Sequence, residues 1–436
     1  MQNRKTIMKT TTFTCLTLLI LTLPGARGEP FRTDINPALL YCQAFLLAPE
    51  PISEADWDYL GSKAGQEQKL PERFGKIVAG YDNEFKLVRE AAQQKVPCDW
   101  GIDLSPGPNA QLPHLARAKA IAQAAGLRAV WDLQHGNQIG ARDDLLAAVV
   151  LGRNISRDGT LIGTLVQNAI EALVYCTVAD NFDQFSPETL KQLVDGFDAA
   201  PARGTVATAM MTEKLLGPDW LATMIRKLHQ ENPGNDTKVM EGIHAELEHC
   251  GFDFVFHGEH GEKPDTNVWQ HIIVASGGTS DGFLKLIRDL EPLYPRLAKI
   301  MTLPLPEFED QMQKFDMEIQ KSQNPLVSVL FPNPLSSIGG PRRREFRIQV
   351  TQAMVHAAVE YKLHSESGLK SVVDPCGNGP FAFQRFMFEG VDRGFELKSV
   401  YTWSIGVPYA YIFVEKAGTP FYISGGPQRL GKAVQP

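Results

Sequence analysis

Cysteine, clustered positive charge and long apolar runs are all scarce in this chain, and each scarcity removes a class of protein. Six cysteines are scattered over 436 residues with no C-x-x-C pair, which weakens zinc-ribbon and thioredoxin-like readings. Basic residues number 43 against 50 acidic ones, and Arg342-Arg343-Arg344 with Arg347 is the one basic run. That run opens a predicted helix and reads as a solvated face. Nucleic acid and anionic membrane surfaces need clustered positive charge, so neither is an expected partner. The phosphate-binding patterns G-x-x-x-x-G-K-[ST] and G-x-G-x-x-G do not occur, nor does the zinc motif H-E-x-x-H. No serine is nominated as a nucleophile, and the scattered carboxylates mark no glycosidase pair.

The apolar run Phe13 to Leu23 is about half of the roughly 20 residues a spanning helix needs. Arg4, Lys5 and Lys9 precede it, Pro24 breaks it, and Ala26-Arg27-Gly28 puts small residues where a signal peptidase reads. The expectation is a cleaved export signal over residues 1–28 and a mature protein in the periplasm, cell envelope or medium. A retained N-terminal anchor is the alternative; after cleavage no stable transmembrane span is expected. Cys15 lacks the small-residue surroundings of a lipoprotein box. Cleavage removes Arg4, Lys5, Lys9 and Arg27 and no acid, which moves the formal net charge from −7 to −11. Five cysteines remain, an odd count that leaves at least one thiol unpaired or intermolecular. Cys42 and Cys176 lie among apolar helical residues and are expected to be buried thiols. Cys98, Cys250 and Cys376 lie beside loops, their pairing open.

Pattern and punctuation predict a mainly α fold of irregular helical hairpins with a small C-terminal α+β module. Residues 29–335 read as the helical domain, 336–425 as a long helix plus a small antiparallel sheet, and 426–436 as a flexible tail. Asn36-Pro37, Ser53 and Ser186-Pro187 are helix starts, and Gly217-Pro218 interrupts the stretch Val206 to Leu228. The clearest unit is Leu115 to Asn154, where His135-Gly136-Asn137 turns between two helices. Small residues at Ala129, Ala141 and Ala148 let the pair approach, as in a single tetratricopeptide unit. After Gly368 the composition changes to short aromatic runs separated by Gly, Pro or Asp, the signature of a small sheet. The helix Glu345 to His364 is expected to lead into it.

Candidate chemistry is concentrated in one place. His244 and Glu248 are four apart on a helix, and His257 and His260 follow in a loop; together they could hold a divalent transition metal if three or four converge. The bland alternative is a polar helix end with an exposed loop. Ser276-Gly277-Gly278-Thr279-Ser280-Asp281-Gly282 could hold an anion at a helix start, or Thr279 or Ser280 could simply cap that helix. Asp143-Asp144 reads as a pair of solvated surface acids.

Several short motifs occur in order: Asn36-Pro37-Ala38-Leu39-Leu40-Tyr41, Cys98-Asp99-Trp100-Gly101, Leu112-Pro113-His114-Leu115-Ala116-Arg117, the His135-Gly136-Asn137 turn, Asn324-Pro325-Leu326, and Asp374-Pro375 with Gly379-Pro380-Phe381. This set resembles a family of uncharacterised exported or membrane-attached proteins from planctomycete-type bacteria, over Asn36 to about Ser399. The resemblance implies localisation and architecture, and no chemistry. The C-terminal part is similar to the sheet of the major pseudopilin of type II secretion. Asp374 to Phe381 matches its turn with one extra residue, and Gly394 to Ser399 its next strand. Where that family places a calcium loop, this chain continues Val400-Tyr401-Thr402-Trp403, which lacks the oxygen ligands.

These readings converge on a non-enzymatic exported binding or scaffolding protein whose helical hairpins face a protein or peptide partner. The alternatives are a metal-dependent cell-envelope hydrolase at His244–His260, and a self-associating envelope component with an exposed aromatic sheet.

Overall fold

The computed structural model describes residues 34–50, 52–61, 69–250, 268–388, 390–403 and 406–416. The expected export signal, the loop carrying His257 and His260, and the tail lie outside these residues. The chain is mainly helical and ends in a small three-stranded antiparallel sheet.

The fold begins with α1 (Pro37–Leu46), α2 (Glu54–Gly61), α3 (Arg73–Gly80) and α4 (Asp82–Ala92). The Asn36 side chain caps α1 at Ala38 N and also exchanges two hydrogen bonds with the Asp99 backbone, at 2.6 and 3.0 Å. Two of the sequence motifs are therefore one latch. Trp100 completes it: its ring stacks on Tyr41, Phe45 and His114, and its indole N–H donates to Asn154 O at 2.8 Å.

The hairpin is α5 (Pro113–Gln134) and α6 (Gln138–Ile155), with Gly136 at φ 78° in the turn. Ala129, Ala141 and Ala148 have no exposed surface, as their small size between two close helices requires. A satellite cluster of Leu70, Phe74, Val78 and Leu127 seats α3 on α5.

Behind the hairpin runs α7 (Leu161–Asp180), which is long and apolar enough to cross a membrane. Its surroundings make it a core helix instead. Glu171 is fully buried on it and takes hydrogen bonds from Arg153 and Arg203; Arg153 also donates to Phe197 O at 2.9 Å. The charge of this buried carboxylate is thereby compensated within the protein by two guanidinium groups. The chain continues through α8 (Pro187–Ala199), α9 (Val206–Lys214), a π-turn at Leu215–Asp219 containing the expected Gly217-Pro218 break, and α10 (Trp220–Glu231). Then come α11 (Asp236–His249), α12 (Val268–Ser276), α13 (Ser280–Arg288), α14 (Leu293–Ile300), α15 (Leu305–Ile319), α16 (Leu326–Leu330) and α17 (Pro334–Ser337).

The long helix α18 spans Gly339–Ser371 with a break at Ser365, φ 56°, one residue past the expected end at His364. The basic run at its start is a solvated face only in part: Arg344 is exposed, but Arg342 and Arg343 are engaged by the protein. Arg342 is buried over the Phe346 ring and pairs with Glu345 at 2.9 Å, while Arg343 forks onto both carboxylate oxygens of Glu309. Neighbouring carboxylates on α15 and α18 make this burial possible.

The sheet order is β1 (Ala382–Phe388), β2 (Val391–Trp403), β3 (Val407–Val414). Phe395 lies opposite Phe413, and both pack against Phe182; Phe395 also meets Tyr361 of α18. The rings of Phe395, Tyr409, Tyr411 and Phe413 are buried, so they do not form the exposed aromatic face that the self-association reading supposed. Asp374 locks the entry turn: it accepts from Cys376 N, Ser399 Oγ and Val400 N at 3.0, 2.7 and 2.8 Å. One hydrophobic core runs from Ala38 to Phe413, through the expected boundary at residues 335 and 336.

Among the described residues no disulfide joins the five thiols. Cys42 is exposed rather than buried, because α1 turns Leu40, Tyr41 and Ala44 inward and leaves Cys42 outside. Cys176 is half-buried near Asp180, and Cys98 is the buried one. Burial pushes the Cys98 thiol up to about 12.

Candidate functional site

A cleft of about 420 Å³ opens where α3 and α4 meet the turn end of the α5–α6 hairpin. Its floor is a pair of arginines on one carboxylate. Asp144 of α6 has no exposed surface and accepts from Arg89 Nε at 2.6 Å and Arg128 Nε at 2.8 Å. Arg128 also donates to Val78 O and Asp82 Oδ1, at 2.7 and 2.8 Å, and lies over the Phe85 ring. Four helices, α3 to α6, are thereby pinned at one point. Burial raises Asp144 above the usual carboxylate range although both arginines oppose the shift.

This overturns the expectation of two solvated acids. Asp143 alone lies toward the surface, held by Arg142 Nε and Nη2 at 2.9 and 2.7 Å. Asp144 follows Ala141 by three residues and precedes Ala148 by four, so it belongs to the buried stripe of α6.

The cleft wall is built by the hairpin turn. Asn137 caps α6 by accepting from Gly140 N at 3.0 Å. A Cβ at Gly140 would collide with the side-chain ends of Asn137 and Asp132, so any larger residue must displace them. Burial raises the Asp132 carboxyl. Trp131 packs on His135 and on Gly75 of α3, while Ile139 stands at the rim with 63% of its surface exposed.

The residues nominated for metal binding are only partly brought together. His244 and Glu248 share a face of α11 at 3.7 Å, and His244 also contacts the Trp269 ring. His257 and His260 lie outside the described residues. Among the described residues no group of three or more His, Cys, Asp or Glu could hold a metal ion.

The Ser276–Gly282 turn has an internal explanation. Thr279 caps α13 at Gly282 N, and the anion at the helix start is Asp236 of α11, which accepts both Ser280 N and Ser280 Oγ. Gly278-Thr279-Ser280-Asp281-Gly282 also has the G-x-S-x-G spacing of a nucleophile elbow, so a serine does stand in that pattern. His229 Nδ1 lies 2.9 Å from Ser280 Oγ. The serine, however, is buried as the first residue of α13, and with its hydroxyl proton given to Asp236 the Nδ1–H tautomer of His229 donates to Oγ.

No protein-family model matches the chain, and neither does any curated protein or solved structure.

Proposed function

We propose that this chain is an exported, non-enzymatic binding or scaffolding protein that engages a protein or peptide partner through the cleft on the α5–α6 hairpin. The observation that carries the reading is a preorganised cleft with an exposed apolar rim residue, Ile139, beside carboxylates fixed by a buried ion network. Such a mixture of an apolar anchor and oriented polar groups is what a recognition site requires.

The test is in-cell cross-linking of the mature protein followed by partner identification, with Ile139→Asp beside the wild type. The reading expects a discrete partner that Ile139→Asp loses at unchanged expression and circular dichroism. An equal yield from both proteins contradicts the site. For the hydrolase alternative the measurement is elemental analysis: a stoichiometric transition metal that disappears in His257→Ala/His260→Ala would overturn the scaffolding reading.

A further inference from the structure

We infer that the junction where the start of α18 meets α7 and α9 is an internal hydration site, with one or two water molecules bridging Asn168, Arg342 and Glu345. The site is separate from the hairpin cleft and stands or falls independently of the binding reading above.

Three polar side chains are buried there, Asn168 with 4% of its surface exposed, Arg342 with 8% and Glu345 with 2%. Arg342 Nη1 pairs with Glu345 Oε2 at 2.9 Å, and Arg342 Nη2 donates to Leu303 O at 3.3 Å. Glu345 Oε2 also accepts from Val206 N, at the first residue of α9, at 3.4 Å. Both amide atoms of Asn168, Arg342 Nε and Glu345 Oε1 are left without a hydrogen-bond partner among the described residues. Buried polar groups are rarely left dry, and internal water is their usual partner where side chains do not serve.

Helix packing brings these atoms to one place. α7 and α18 run side by side in the same direction: Tyr175 Oη donates to Gln352 Oε1 at 3.3 Å, and further along both helices Lys362 reaches Phe182 O and Phe185 O. Asn168 and Glu345 stand seven residues, two helical turns, before Tyr175 and Gln352, so each shares its follower's face. The loop before α9 gives the same register. Gln167, next to Asn168, bonds to Gly204 N and O at 2.9 and 3.4 Å, and two residues later Val206 N meets Glu345.

The leftover atoms select the ligand. Asn168 Nδ2 and Arg342 Nε are donors, while Asn168 Oδ1 and Glu345 Oε1 are acceptors. Turning the amide over exchanges its two atoms and leaves that balance unchanged. The Arg342–Glu345 pair is already neutral, so neither a cation nor an anion has a charge to offset. Water donates, accepts and brings no charge.

The test is a high-resolution crystal structure of the purified protein, joined to urea unfolding of the wild type and Asn168→Leu. The crystal structure should show ordered water within hydrogen-bond distance of Asn168 and of Arg342 or Glu345. Asn168→Leu, similar in shape, should lower the unfolding midpoint, because it takes a partner from the water that serves the buried ion pair. In a dry junction the same change removes an unpaired buried amide and raises the midpoint instead. A raised or unchanged midpoint, a direct hydrogen bond between Asn168 and Glu345, or a metal ion in place of water overturns the inference. If Asn168→Leu does not fold, the crystal structure of the wild type decides alone.

Discussion

Asp144 carries more of the site than any other single residue. Deleting its carboxylate leaves the Arg128 guanidinium buried and short of its main partner, a mechanism that costs about 3–5 kcal/mol. Asp144→Ala should therefore lose stability on that scale in urea titrations. Replacing Arg89 and Arg128 by Met as well should restore much of it, because the uncompensated charge is then gone. Glu84 makes a pH-dependent counterpart. It is buried on α4, its Oε2 has no hydrogen-bond partner, and burial pushes its carboxyl up to about 7 against the partial opposition of Arg117 and Arg128. The folded state thus holds the proton more tightly than the unfolded chain, whose value is the ordinary 4.5. Its stabilisation is present at acid pH and is lost as pH rises from there through about 7. Glu84→Gln should flatten that part of the stability–pH curve and stabilise the protein above neutrality by about 1–3 kcal/mol. Unchanged slopes would show that Glu84 is not the titrating group.

At the scale of elements, much was legible because the punctuation is local. Asn36-Pro37, Ser186-Pro187 and Gly217-Pro218 act through a cap, a fixed φ and a missing N–H, and the helices start and break where these residues stand. The hairpin was legible for the same reason, with alanines marking the close face. What escaped the sequence was pairing between distant elements. Nothing near Asn36 announces that its amide also holds Asp99, and nothing near Asp144 names Arg89, 55 residues earlier. Cys42 was misplaced because an apolar neighbourhood in sequence does not say which side of a helix faces in. Gly140 gives the element-scale prediction. Gly140→Ala drives Cβ into the Asn137 and Asp132 side chains, so it should disturb the cap and cost about 1–2 kcal/mol in thermal or chemical unfolding. It should also weaken partner capture, since those side chains form the cleft wall.

For the whole molecule, the continuous core implies cooperation between the helical region and the sheet. Phe182 after α7 meets Phe395 and Phe413, and Lys362 of α18 donates to Phe182 O and Phe185 O at 2.7 and 3.0 Å. Far-UV circular dichroism and tryptophan fluorescence should therefore report one coincident urea transition. Separate transitions would mean that the sheet and the helices unfold independently. The cleft sits on this frame away from the sheet, which leaves the hairpin turn open to solvent while its floor is fixed by Asp144. The most direct test of the hairpin as the partner surface is a photo-cross-linking residue at position 139 in cells, with the same residue at exposed Met317 on α15 as control. A discrete adduct from position 139 and none from 317 is the predicted result; adducts from 317 alone, or from neither, would contradict it.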